Sequence, residues 1–271
     1  MTIIEIIIPA ILFAVLIWLT LWYGILIPPK KRFAVLMYHK VSDNNNDTLT
    51  ISTDDLNLQF TYLKEKGYQS LSFKDLKSLA AEGLPIPRKA VIITFDDAYK
   101  SFREKALPLL KKFDFKTTLF VPLAYLGKTN IWDKGKDPIM NAEELKQISI
   151  DNHVEIGLHS FLHRNYEDLA ISDMEEDLNN CLSTLSFYHI PYVKVLAYPY
   201  GGYPKKDPRL KEQMFTLFKS LDLDFALRIG NKINPYPIKQ PYEMKRIDIR
   251  GTDSFFIFKT KLKKGRARVF V

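Results

Sequence analysis

The stretch Ala90-Val91-Ile92-Ile93-Thr94-Phe95-Asp96-Asp97 decides the fold. A continuous apolar run without polar alternation reads as a strand buried on both faces, the habit of parallel sheets flanked by helices. The two carboxylates at its carboxyl end fall where parallel α/β folds gather their functional groups. The same grammar repeats on either side. Short apolar runs predict strands over 33–38, 68–71, 117–121, 154–158, 193–198, 225–228 and 245–249. Amphipathic helices are predicted over 53–66, 72–82, 101–113, 142–152, 172–188 and 208–220. Such βα alternation predicts an α/β fold, a closed or nearly closed, distorted (β/α)7-8 barrel. No internal repeat or low-complexity tract interrupts it, and the irregular stretch 123–140 is long enough to cover a groove.

With 271 residues, the chain has room for one large catalytic domain and a short flanking segment. Residues 3–27 carry a single charge, Glu5, and Trp18, Trp22 and Tyr23 cluster towards one end. As a helix this stretch is about 37 Å long, enough to cross a bilayer core. It lacks the basic start and small-residue cleavage site of a signal peptide. The expected organisation is therefore a single transmembrane anchor over 1–29, a catalytic domain over 30–258 and a basic tail over 259–271. Lys30-Lys31-Arg32 follows the span, and the positive-inside rule then favours a cytoplasmic domain. The net charge of +8 is scattered outside that cluster and the tail, and no nucleic-acid-binding module is present. The one cysteine, Cys181, excludes an intrachain disulfide and lies in a helical stretch, where a packed thiol is expected.

Four polar clusters share the carboxyl ends of predicted strands: His39, Asp96-Asp97, His159 with His163, and Tyr198-Pro199-Tyr200-Gly201. In His159-Ser160-Phe161-Leu162-His163 the imidazoles are spaced i, i+4, which would put them on one face of a helical turn. A carboxylate from another strand end would complete a three-ligand metal set with a position left for water. Of Asp96 and Asp97, one would ligate and the other would accept a proton from that water, provided the strand ends between them. A hydrolase is the chemistry these groups suit.

Thr94-Phe95-Asp96-Asp97 and His159-Ser160-Phe161-Leu162-His163 resemble the first two motifs of the polysaccharide deacetylases with a NodB-type homology domain, the family-four carbohydrate esterases. The likeness covers roughly 33–256. It implies a divalent metal, usually zinc with nickel, cobalt or ferrous iron also suitable, held by Asp97, His159 and His163. It further implies that Asp96 is the catalytic base and that the Tyr200 amide helps to form the oxyanion hole. The implied partner is an N-acetylated polysaccharide, with Tyr198, Pro199, Gly201 and Trp132 expected at the substrate.

Two departures from the family pattern stand out. Ala98 follows the Asp pair where glycine is usual, and Ala197 stands where many members carry an arginine that orients the base. Arg246 or Arg250, near the last predicted strand, could supply that guanidinium, a surface salt bridge being an equal reading of either. No Leu-x-His motif occurs near the C-terminus. Leu36-Met37-Tyr38-His39 instead looks like the rearranged order of the biofilm poly-N-acetylglucosamine deacetylases, making His39 the expected general acid. The family acts mostly outside the cytoplasm, against the flanking charge. A deacylase or deformylase of a lipid-linked amino sugar at the inner face is therefore a second reading, and a catalytically inactive carbohydrate-binding protein a third.

Overall fold

The computed structural model describes residues 31–43, 47–133 and 135–267, together with residues 8, 13–15 and 18. The membrane span expected over 3–27 thus lies largely outside the described residues. Among these, no helix is long and apolar enough to cross a membrane. The chain divides into two units, Met1–Lys31 and Arg32–Val271.

In the second unit, seven parallel strands are found among the described residues: β1 (Arg32–Tyr38), β2 (Ala90–Asp96), β3 (Thr117–Val121), β4 (Val154–Leu158), β5 (Val195–Ala197), β6 (Phe225–Ile229) and β7 (Met244–Asp248). They pair in chain order, and β1 is flanked by both β2 and β7, so the ring closes as a (β/α)7 barrel. The short strands Gln69–Ser70 and Asn234–Pro235 add to β2 and β1 at the rim. Side chains alternate across each strand. One set, including Phe33, Val35, Ile92, Val195 and Leu227, comes from facing strands and fills the barrel interior. The other, including Leu36, Ile93, Leu119, Ile156 and Leu196, packs outward under the helices. That double burial is why the strands carry so little polar alternation.

The helices are α1 (Thr53–Glu65), α2 (Phe73–Ala81), α3 (Leu107–Phe113), α4 (Ala142–Ser149), α5 (Ile171–Phe187), α6 (Pro208–Ser220) and α7 (Phe255–Lys264). Ser52 caps α1, and reciprocal capping boxes start α2 (Ser72 with Asp75) and α4 (Asn141 with Glu144). The helix expected over 101–113 is π-helical across Phe102–Ala106 before α3 begins, next to Pro108, which has no amide to donate. α2 stoppers the barrel base. Phe73 and Leu76 join the interior cluster, and the Phe73 and Lys74 amides donate to the buried Glu155 carboxylate on β4 at 2.8 and 3.1 Å. The basic tail drawn from residue 259 is in part a helix on the domain: α7 crosses that boundary and buries Phe258 and Leu262.

Gly157 on β4 shows how tightly the interior is filled. A Cβ there would stand 2.5 Å from Cε1 of Phe120 on β3, a ring that is itself fully buried. Gly157→Ala is expected to destabilise the domain by about 1–3 kcal/mol, as overpacking does. Equilibrium urea denaturation checks this, and an unchanged midpoint would mean that Phe120 has room to move.

Candidate active site

β2 places both carboxylates by ending between them. Asp96 is its last residue, on the interior set with Ala90 and Ile92. Asp97 and Ala98 then turn left-handed, with φ of 72° and 52°. The turn carries Asp97 to the mouth instead of the outer face. Alanine is strained at a positive φ where glycine is not, which is the physical content of the departure at Ala98. Both carboxylates are 2 % exposed.

Asp97, His159 and His163 come together, each buried, with one ligand-type atom apiece and all within 4.8 Å of one another. The two imidazoles do not share a helical turn. Residues 159–163 form an irregular loop in which Ser160 (φ 62°) and His163 (φ 54°) are left-handed. Because i, i+4 spacing also suits a tight loop, spacing alone did not determine the conformation. His159 Nδ1 donates to the Ala197 carbonyl at 2.8 Å, which leaves Nε2 bare and facing Asp97 Oδ1 at 3.5 Å. Burial pushes His159 down to about 4, against the opposing pull of Asp96, so it is neutral near pH 7. His163 Nε2 lies 3.3 Å from Asp97 Oδ1, and its Nδ1 lies 3.2 Å from the Tyr200 hydroxyl. Asp97 Oδ2 accepts from the Trp132 indole at 3.3 Å, whereas Oδ1 is buried without a hydrogen-bond partner. Burial pushes the Asp97 carboxyl up, but the His163 and His159 imidazoles outweigh it and hold it well below the ordinary range. An orphaned carboxylate oxygen beside a bare imidazole nitrogen suits a divalent ion such as zinc.

Arg246 is the arginine that reaches Asp96. It is 1 % exposed, and Nη1 donates to Asp96 Oδ1 at 2.6 Å, so β7 supplies the guanidinium that position 197 lacks. Arg250 instead pairs with Asp248 at the rim. Burial raises the Asp96 carboxyl, but the Arg246 charge, with His159 and His39, overrides this and holds it below its usual value. The other oxygen, Oδ2, is 3.8 Å from both His39 Nε2 and His159 Nε2.

These groups line a cleft of about 330 Å³ at the carboxyl ends of the strands, together with Trp132, Tyr200 and Ile229. Tyr200 is 57 % exposed and sits in the turn Pro199–Gly201 with φ 58°; Gly201, at φ 69°, lies where a Cβ would stand 2.8 Å from the Ile229 amide. Tyr198 does not face the cleft. It falls on the outward set, fully buried against Phe218 of α6, and donates to the Tyr242 carbonyl at 3.0 Å; Pro199 is also buried. Trp132 stacks on His163 with ring centroids 4.2 Å apart, so it braces that candidate ligand as well as lining the cleft. Its loop is tied down by Lys40, which pairs with Asp137 at 3.0 Å and Asp133 at 3.4 Å. Cys181 is a packed thiol on α5, and burial pushes it well up.

Residues 84–214 match the family described as Polysaccharide deacetylase. The chain is 36 % identical over 89 residues to the poly-beta-1,6-N-acetyl-D-glucosamine N-deacetylase of Escherichia coli K12, covering 32 % of this chain and 13 % of that protein. It is 25 % identical over 174 residues to the enzyme of the same name from Staphylococcus aureus MSSA476, covering 61 % and 58 %. The chain therefore spans less than two thirds of either relative. Among solved structures, IcaB from Ammonifex degensii superposes with a TM-score of 0.70 at 19 % identity, over 88 % of this chain and 98 % of that one. The Streptococcus pyogenes deacetylase PplD superposes with 0.70 at 20 %, over 86 % and 99 %. At that identity the superpositions establish the fold. The family match over residues 84–214, the sequence relatives and the barrel agree in making this chain similar to the polysaccharide deacetylases.

Proposed function

We propose that the domain removes N-acetyl groups from N-acetylglucosamine residues of a polysaccharide, with Asp97, His159 and His163 holding a divalent ion, zinc in the first instance. The observation that carries this reading is the convergence of one orphaned carboxylate oxygen and two histidines beside a second carboxylate that takes no part in the set. When bound, such an ion supplies Lewis acidity towards water and the amide carbonyl. Arg246 occupies Asp96 Oδ1 and keeps the carboxyl ionised, so Oδ2 is the atom free to take a proton from attacking water. His39 Nε2, 3.8 Å from that oxygen and lining the same cleft, is assigned the protonation of the departing sugar amine as the C–N bond breaks. The Tyr200 amide, in its left-handed turn, is assigned to the oxyanion, and the exposed Tyr200 ring to the sugar. Acetate and a free amine are the products.

The names of the sequence relatives make poly-β-1,6-N-acetylglucosamine the first substrate to try. Acetate release from its oligomers is expected to stop on chelation and to return with zinc. His163→Ala is expected to lose both bound zinc and turnover, since it removes one of three ligands. Turnover that survives chelation would overturn the metal reading. The anchor over 3–27 belongs to the same proposal and rests on the sequence, whereas an outer-face position rests on the family resemblance and runs against the flanking charge. A reporter fused to the C-terminus tests the side.

A further inference from the structure

The loop that presents the two imidazoles has left-handed residues at Ser160 and His163 and no regular secondary structure to hold it. The Ala124 amide donates to the Phe161 carbonyl at 2.9 Å, and most of the remaining hydrogen bonds to the residues between the histidines converge on one side chain. Asp177, in the second turn of α5, is 5 % exposed. Its Oδ1 accepts from Ser160 Oγ at 2.8 Å and from the Phe161 amide at 3.0 Å, with the Leu162 amide at 3.5 Å. Its Oδ2 accepts from the Tyr166 hydroxyl at 2.8 Å. Ser160 Oγ, having donated to Asp177, accepts from the Arg164 amide at 3.0 Å. All three residues between the histidines, and the one that follows His163, thus converge on this carboxylate directly or through Ser160. No ion pair to Asp177 occurs among the described residues, so these donors face the charge alone, and hydrogen bonds to an ionised acceptor are the stronger kind.

We propose that Asp177 is the positioning residue that sets the His159–His163 geometry and thereby the affinity of the site for its metal ion, an inference that rests on the metal reading above. Asp177 touches neither the ion nor the substrate. Groups that orient a ligand from behind typically change metal affinity by about 10- to 100-fold when removed.

The test is the zinc dissociation constant of the full-length protein, measured by competition with a chromophoric chelator, alongside its melting temperature. Asp177→Ala is expected to weaken zinc binding by about 10- to 100-fold. Asp177→Asn is expected to restore most of it. Its amide oxygen still accepts from Ser160 and Phe161, and the Tyr166 hydroxyl can rotate to accept from the amide nitrogen. Tyr166→Phe removes a bond of equal length to the same carboxylate but not from between the histidines. It should lower the melting temperature and leave zinc affinity near wild type.

A purely structural role would move stability in both Asp177→Ala and Tyr166→Phe and affinity in neither. Wild-type affinity in folded Asp177→Ala, or an equal loss in Tyr166→Phe, overturns the proposal. Should Asp177→Ala fail to fold, Ser160→Ala takes its place. Unchanged affinity there overturns the proposal as well. If the wild-type protein binds no zinc, the metal reading itself fails and this inference falls with it. Wild-type binding without a difference between variants sinks only the role of Asp177.

Discussion

Asp96→Asn is expected to lower acetate release by about 10²- to 10⁴-fold, the usual worth of a general base, while zinc content stays at the wild-type level. The geometry separates the two effects. The candidate ligands are Asp97, His159 and His163, and Asp96 lies outside that set. Asparagine keeps the shape of the side chain and an oxygen to which Arg246 can donate, so the buried guanidinium retains a partner. What is lost is the ability of Oδ2 to take up a proton. Turnover with oligomeric substrate and metal content by elemental analysis check the two halves separately. An Asp96→Asn protein with full activity would remove Asp96 from the base role, and one without zinc would mean that Asp96 belongs to the ligand set.

Much of the barrel was legible because its strands are buried on both faces: the runs around Ile92, Leu119 and Ile156 admit few polar residues. The strand-end clusters followed from those strands. What escaped was information carried by parity and by distance along the chain. Tyr198 follows Ala197 of the interior set, so alternation alone turns it towards the helices and away from the cleft. Arg246 shares the parity of Met244, which marked it as inward-facing, but nothing in the sequence placed its guanidinium on Asp96 rather than leaving that role to Arg250. Asp177 did leave a trace. It lies three residues after Met174 and four before Cys181, on the buried stripe of an amphipathic helix where a carboxylate is out of place. Trp132 left none, because a residue in a long irregular loop has no periodicity to report its direction. The loop between the histidines was misread for a related reason: a four-residue interval fits both a helical turn and the tight loop that Asp177 holds.

Arg246→Met is expected to destabilise the domain by about 3–5 kcal/mol at neutral pH, because it strands a buried charge. Arg246 and Asp96 are almost fully enclosed, and the guanidinium donates to Oδ1 at 2.6 Å. Burial favours the neutral acid, and Arg246 is the largest of the charges that override it. In the wild-type protein the carboxyl is held below its unfolded value. Its stabilising contribution is therefore present at neutral pH and is lost only as pH falls through the folded value. Without Arg246 desolvation meets less opposition, the carboxyl moves up, and the sign reverses: the variant loses stability as pH rises through the new value. The gap between the two proteins should accordingly narrow on acidification, and the acid limb of kcat/KM should move to higher pH in the variant. Urea denaturation at several pH values, with a pH–rate profile, reads both. The double variant Asp96→Asn with Arg246→Met removes both charges and should be more stable at neutral pH than Arg246→Met alone. A single variant whose stability gap is unchanged across pH would show that the loss comes from packing against Phe120, over which the guanidinium lies at 5.5 Å, and not from the stranded carboxylate.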